Sequence, residues 1–222
     1  ASNGSKAFIR NSVSVTTGQG NTLQGVDSSF ELADVTTVST GEGITVLGEG
    51  TGRSYFRRVE EITSGTGPAI DLSNSYEVYC FSVSSITAGT EEAIVLDNAR
   101  FELLDGATIS GSKDGIAGSY ANVRVTNLAT ITSDEDNGLN LTNSVYDLRD
   151  VQTISGKKAG AVLTNCRGIF VNIGTFSGQD DYGISVVNCS GPTEWSGITT
   201  ITSQSGDAFS ATGNLSQFRI VD

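Results

Sequence analysis

Apolar residues recur along this chain in short clusters separated by polar turns, with a long period that no helix produces. Each period is marked by an apolar residue flanked by Thr or Ser: Val15, Val38, Ile62, Ile86, Ile109, Ile131, Ile154, Phe176 and Ile201, at spacings of 22 to 25 residues. Six residues before each of these anchors stand Ile9, Leu32, Phe56, Cys80, Leu103, Val125, Leu148, Phe170 and Trp195. Three before it, from the second copy on, stand Val35, Val59, Val83, Gly106, Leu128, Val151, Ile173 and Ile198. After the anchor comes a Gly-rich, often acidic turn. A second apolar pair follows, as in Ile70/Leu72, Ile94/Leu96, Leu139/Leu141, Ala161/Leu163 and Ile184/Val186.

Three alternating clusters inside ~23 residues predict a coil of three short strands, stacked on its neighbours at about 4.8 Å. Nine coils make an all-β rod on the order of 43 Å long. Asn74, Asn98, Asn143, Asn165 and Asn188 recur four residues past the first member of the apolar pair, which predicts an inward-turned amide ladder. The repeat makes residues 7–222 a single domain behind a short lead at 1–6, and Ile220 extends the apolar column into a tenth coil.

These columns resemble the right-handed parallel β-helix, or pectin-lyase-like, class, which includes phage tailspikes, pectate lyases and surface adhesins. The resemblance covers about residues 7 to 222. It implies a β-solenoid exposed on a cell or virion surface, and polysaccharide as a ligand. The Arg-x-Pro-x-x-Arg run of polysaccharide lyases does not occur in this sequence.

Composition narrows the chemistry. The 222 residues carry a formal charge of -12, which argues against nucleic acid and anionic membranes as partners. No apolar stretch reaches the ~18 residues of a membrane span. Histidine is absent, which excludes imidazole zinc sites and a Ser-His-Asp triad within the chain. Of three cysteines, Cys80 falls in the apolar column. Cys166 and Cys189 follow ladder asparagines one coil apart, within disulfide reach. Sequons begin at Asn3, Asn140, Asn188 and Asn214.

Residues beside a buried anchor point outward. They form two hydroxyl columns, including Thr108, Thr130, Thr153, Thr175 and Thr200 on one side and Thr132 and Thr202 on the other, interrupted by Glu61. Such a Thr-x-Thr array is similar to the ice-binding face of β-solenoid antifreeze proteins. It is also what exposed strands prefer in any case. The turns gather Asp114, Asp134, Asp136, Asp180 and Asp181 beside Lys113, Lys157 and Lys158. Asp114, Asp136 and Asp181 are the candidate acids if the protein cleaves glycans. Asp134, Asp136, Asp180 and Asp181 are candidate Ca²⁺ ligands, calcium being the one cofactor the sequence suggests. Solvated turns paired to the lysines account for the same residues. Tyr55, Tyr76, Tyr79, Tyr120, Tyr146 and Tyr182 are expected at or near corners. Arg57 and Arg58 are expected to pair with Glu60 and Glu61.

The leading expectation is a non-catalytic, extracellular structural subunit that self-associates, head-to-tail through its ends or side by side, into a fibre. The alternatives are a tailspike or adhesin segment that binds, and as an enzyme would hydrolyse or eliminate, surface polysaccharide, and an ice-binding protein.

Overall fold

In the apolar columns, residues six and three before the anchor and the anchor itself are buried from the second coil to the eighth, Gly106 excepted, and are partly covered at the ends, where only Trp195 is fully buried. Successive members of the set are three residues apart, an odd step. A straight strand sends such residues to opposite faces, so the chain must reset its phase within each coil. Between the first two members it does so four residues before the anchor, where Asn11, Asp34, Arg58, Ser82, Asp105, Asn127, Asp150 and Asn172 all take φ between 51° and 63°. Asn and Asp tolerate this left-handed region better than other residues with a Cβ, which explains the column's composition.

The computed structural model describes residues 5–221. The first four residues of the lead, with the Asn3 sequon, and Asp222 lie outside them. Among the described residues there is no helix, and the strands form two parallel sheets. The broad sheet stacks eight long strands in sequence order, from Lys6–Gln19 and Ser29–Glu42 through Arg53–Ser64 and Glu77–Ala88 to Arg167–Gly178. It continues with Thr193–Ser196, Thr200–Ser203 and Phe218–Val221. The narrow sheet stacks four-residue strands from Leu23–Val26 to Phe209–Thr212. This is a β-solenoid of about nine turns, consistent with a right-handed parallel β-helix. Two of the three strands expected per coil run together as one bent strand of 12 to 14 residues. They separate only in the ninth coil, around Gly197 at φ 63°.

The register is the one the columns require. Ile62 pairs with Ile86, Ile86 with Ile109 and Ile109 with Ile131, so residues some two dozen apart touch. From Leu32 to Trp195 the column six before the anchor is at most 1% exposed.

The asparagine column does not turn inward. Asn74, Asn98, Asn143, Asn165 and Asn188 hold φ between 49° and 58° at the corner after the short strand. They lie at the surface, and one amide-to-amide bond, Asn165 Nδ2 to Asn143 Oδ1 at 3.1 Å, joins two of them. Asn stands there for its backbone, and the inward position is the next one, held by Ala99, Ala121, Ser144, Cys166 and Cys189. In that inner column Tyr76 replaces a small residue. Its ring lies under Gly48, and its hydroxyl meets Ser54 Oγ at 2.7 Å and donates to Ser28 O at 2.8 Å. Tyr146 is likewise core: it accepts Trp195 Nε1–H at 2.9 Å, and Phe170 packs against both rings. Neither tyrosine is available at the surface.

Candidate functional site

In three of the turns that follow an anchor, a serine hydroxyl two residues past it closes the chain. Ser64, Ser133 and Ser203 Oγ accept the amides of Gly67, Asp136 and Gly206 at 2.8 to 3.1 Å. The acidic residues project from this turn, and stacking arranges them in order of sign. Glu91, Lys113, Asp136, Lys158 and Asp181 occupy successive coils. Lys113 pairs with Glu91 and Lys158 with Asp136. The amide of Lys158 bonds to Asp136 O at 2.9 Å, and that of Asp181 to Lys158 O at 3.0 Å. Lys158 is held above its ordinary pKa by its hydrogen bond to Asp136 and that residue's charge, with Asp114 and Asp181 adding to it.

The candidate acid pair Asp136 and Asp181 is therefore separated by two coils with an ammonium on the rung between. Asp134 and Asp180 are exposed beside them. Among the described residues no three His, Cys, Asp or Glu side chains converge into a metal site.

Asp114 differs from the rest. It is 7% exposed and accepts three hydrogen bonds at 2.9 Å, from Asn137 N, Asn137 Nδ2 and Asn140 Nδ2. Its carboxylate ties one coil to the next turn. Asp114→Ala is expected to cost about 2–3 kcal/mol, since three amide donors lose their carboxylate partner. A thermal melt unchanged by this substitution would contradict that role.

The two hydroxyl columns stand in unbroken register. One runs Ser14, Thr37, Glu61, Ser85, Thr108, Thr130, Thr153, Thr175 and Thr200. The other runs from Thr16 through Thr132 to Thr202 in the same pairings. Thr130 Oγ1 donates to Thr108 Oγ1 at 3.4 Å. The inner hydroxyl members are half-buried, and the exposed positions are Glu61 and the end rungs Ser14, Thr16, Thr200 and Thr202.

A third surface carries more chemistry. Outward positions on the first half of the long strand lie five, seven and nine residues before the anchor. On coils 3 and 4 they present Tyr55 and Tyr79, stacked at 5.3 Å with an interplanar angle of 17°. Guanidinium groups surround the pair. Arg57 lies 5.8 Å from the Tyr55 ring and 5.4 Å from Phe81, while Arg53 and Arg100 lie 5.7 and 5.4 Å from Tyr79. These distances are those of cation–π contacts. Glu77 accepts from Arg53 Nε at 2.5 Å and from the Tyr79 hydroxyl at 3.0 Å. Burial first, and then that bond to Glu77, raise the Tyr79 phenol above its ordinary pKa, so it remains a donor.

Beside Tyr55 lies a recess of about 550 Å³ bounded by Lys6, Phe8, Glu31, Arg53, Tyr55 and Glu77. Phe8, 61% exposed, stands two coils from Tyr55 with Glu31 on the rung between. Arg57 and Arg58 reach back one coil to Glu31 and Asp34, not along their own strand to Glu60 and Glu61.

This strip gathers the protein's positive charge. Lys6, Arg10, Arg53, Arg57, Arg100, Arg124, Arg149, Arg167 and Arg219 all fall on its three columns, nine of the thirteen bases in the chain. Against them stand five acids, Glu31, Glu77, Glu102, Asp147 and Glu194. The strip is thus formally plus four, and the four bases and twenty acids elsewhere leave the remainder of the chain at minus sixteen. No protein family, no curated protein and no solved structure matches this chain. The chemistry of the strip must be read from its own residues. Its signal was present in the sequence as a phase: eight of these nine bases sit five, seven or nine residues before an anchor, and Arg219 stands beside Ile220 in the continuing column.

The cysteines are all buried and free. Cys166 N–H donates to Cys189 Sγ at 3.2 Å across one coil, so the stacking expected of them is present without an S–S bond. The hydrogen bond to Cys189, and then burial, raise the Cys166 thiol.

Proposed function

We propose that this β-solenoid is a non-catalytic rod, displayed outside the cell or on a virion, that binds polysaccharide along its arginine–tyrosine face. The observation that carries this reading is the stacked Tyr55–Tyr79 pair, ringed by Arg53, Arg57 and Arg100 and adjoining the recess over Glu31. Aromatic faces take up the C–H faces of sugar rings, while guanidinium and carboxylate groups exchange hydrogen bonds with hydroxyls. A repeating ligand on a repeating surface gains avidity from each further coil it engages. The lysine between Asp136 and Asp181 supports binding over cleavage.

Affinity electrophoresis and calorimetry against a panel of bacterial capsule and exopolysaccharides test the proposal. Tyr55→Ala and Tyr79→Ala are each expected to weaken binding about tenfold or more, with melts close to wild type because both side chains lie on the outer face. The double variant Asp136→Asn/Asp181→Asn is expected to bind as wild type does. Failure of the wild type to retain any glycan sinks the reading. Shortening of a glycan by the wild type but not by the double variant replaces it with an enzymatic one.

A further inference from the structure

Resting on that reading, we infer that the polysaccharide is anionic, carrying a carboxylate or sulfate on its repeating unit, and that Arg57 receives this group beside the Tyr55 ring. The first ground is charge complementarity. An acidic chain that sets nine of its thirteen bases on one strip presents an attractive field there and a repulsive one everywhere else. A polyanion is steered to one face and held in one orientation along the rod. A neutral glycan gains nothing from that segregation.

The second ground is the state of the individual arginines. Arg53 is committed to Glu77 at 2.5 Å, Arg100 to Glu102 at 3.1 Å and Arg149 to Asp147 at 2.7 Å. Arg57 Nε instead stands 3.8 Å from Glu31, beyond hydrogen-bond length, and Arg10 reaches the same carboxylate at 3.5 Å. Its side chain is 49% exposed. Its guanidinium is fixed between two rings, Tyr55 and Phe81, which pre-orient the planar fork. Such a fork takes a carboxylate or sulfate in a bidentate pair while the adjoining sugar ring lies against tyrosine.

The probes are polygalacturonate, dextran sulfate and uncharged dextran of matched length, measured by calorimetry from 50 to 300 mM NaCl. The expected result is binding of one or both acidic polymers with no detectable binding of dextran, weakening at least tenfold over that salt range. The two acidic arms tell carboxylate from sulfate. Arg57→Ala should cut affinity for the bound polymer about tenfold. Arg57→Lys, which keeps the charge and loses the fork, should recover only part of it. Lys157→Ala, at an exposed base that lies off the strip, should change it little. Melts of all three variants guard against misfolding.

Binding of dextran as tightly as the acidic polymers, without salt dependence, overturns the inference and leaves polysaccharide binding standing. Retention of none of these probes, nor of any glycan in the wider panel, removes both. Equal binding of single-stranded DNA, indifferent to Tyr55→Ala, reduces the strip to a simple cation exchanger and overturns the inference. So does sedimentation showing that the strip pairs with a second copy's acidic flank and is blocked to glycans.

Discussion

Trp195→Ala is expected to cost about 3–5 kcal/mol and to open the last coils while the middle of the rod stays folded. Trp195 is fully buried and packs on Phe170 at 5.0 Å between ring centres and on Phe209 at 6.1 Å. Its indole N–H donates to the buried Tyr146 hydroxyl. Truncation leaves a large cavity and strips that hydroxyl of its donor at once. Because contacts reach only one or two coils along the rod, the damage stays local. Hydrogen exchange read by mass spectrometry should show amides from Arg167 onward losing protection while those of Arg53–Ser64 and Glu77–Ala88 keep theirs. Uniform loss along the rod would show one cooperative unit instead. Trp195→Phe keeps the rings and loses the donor, and should cost about 1–2 kcal/mol.

Gly48→Leu is expected to destabilise by more than about 3 kcal/mol, although Leu is the residue found in that column at Leu72, Leu96, Leu141 and Leu163. A Cβ on Gly48 would stand 2.7 Å from Cε1 and Cγ of Tyr76, against a ring that cannot withdraw. Adding Tyr76→Ala, the residue the next two coils carry at Ala99 and Ala121, makes room for the leucine. The double variant should then melt well above Gly48→Leu alone, a coupling of about 2 kcal/mol or more in a double-mutant cycle. Additive losses would mean that Tyr76 and the glycine against its ring were never matched.

That exchange marks where the sequence was readable and where it was not. The buried columns and the hydroxyl ladders follow from period alone, because stacking converts a spacing of 22 to 25 residues into contact. Val15 to Ile201 and Ile9 to Trp195 stand in the register their spacing requires. Asn143 and Asn165 misled because an asparagine column fits both an amide ladder and a left-handed corner, and only backbone dihedrals separate the two. The column four before the anchor, with Asp34, Asp105, Asn127, Asp150 and Asn172, carried the same corner chemistry and was the cue to the bend. Tyr76 and Tyr146 were unreadable as core, since what admits them is glycine or a partner many residues away. The arginine strip was visible only as a phase of polar residues, and hydrophobic periodicity does not weigh those. Asp136 and Asp181 fall in one turn zone as expected, and the pairing of Lys158 with Asp136 on the rung between them follows from the same stacking.

Spacing between anchors varies by up to three residues, and the variation is taken up at the turn after the anchor and the corner after the short strand. Elsewhere each coil keeps one count. A gene for such a rod can gain or lose codons in those two places, or duplicate a whole coil, and still encode a continuous interior. One codon added between Leu148 and Val151 has no such refuge, because it would turn every later side chain of that strand to the wrong side.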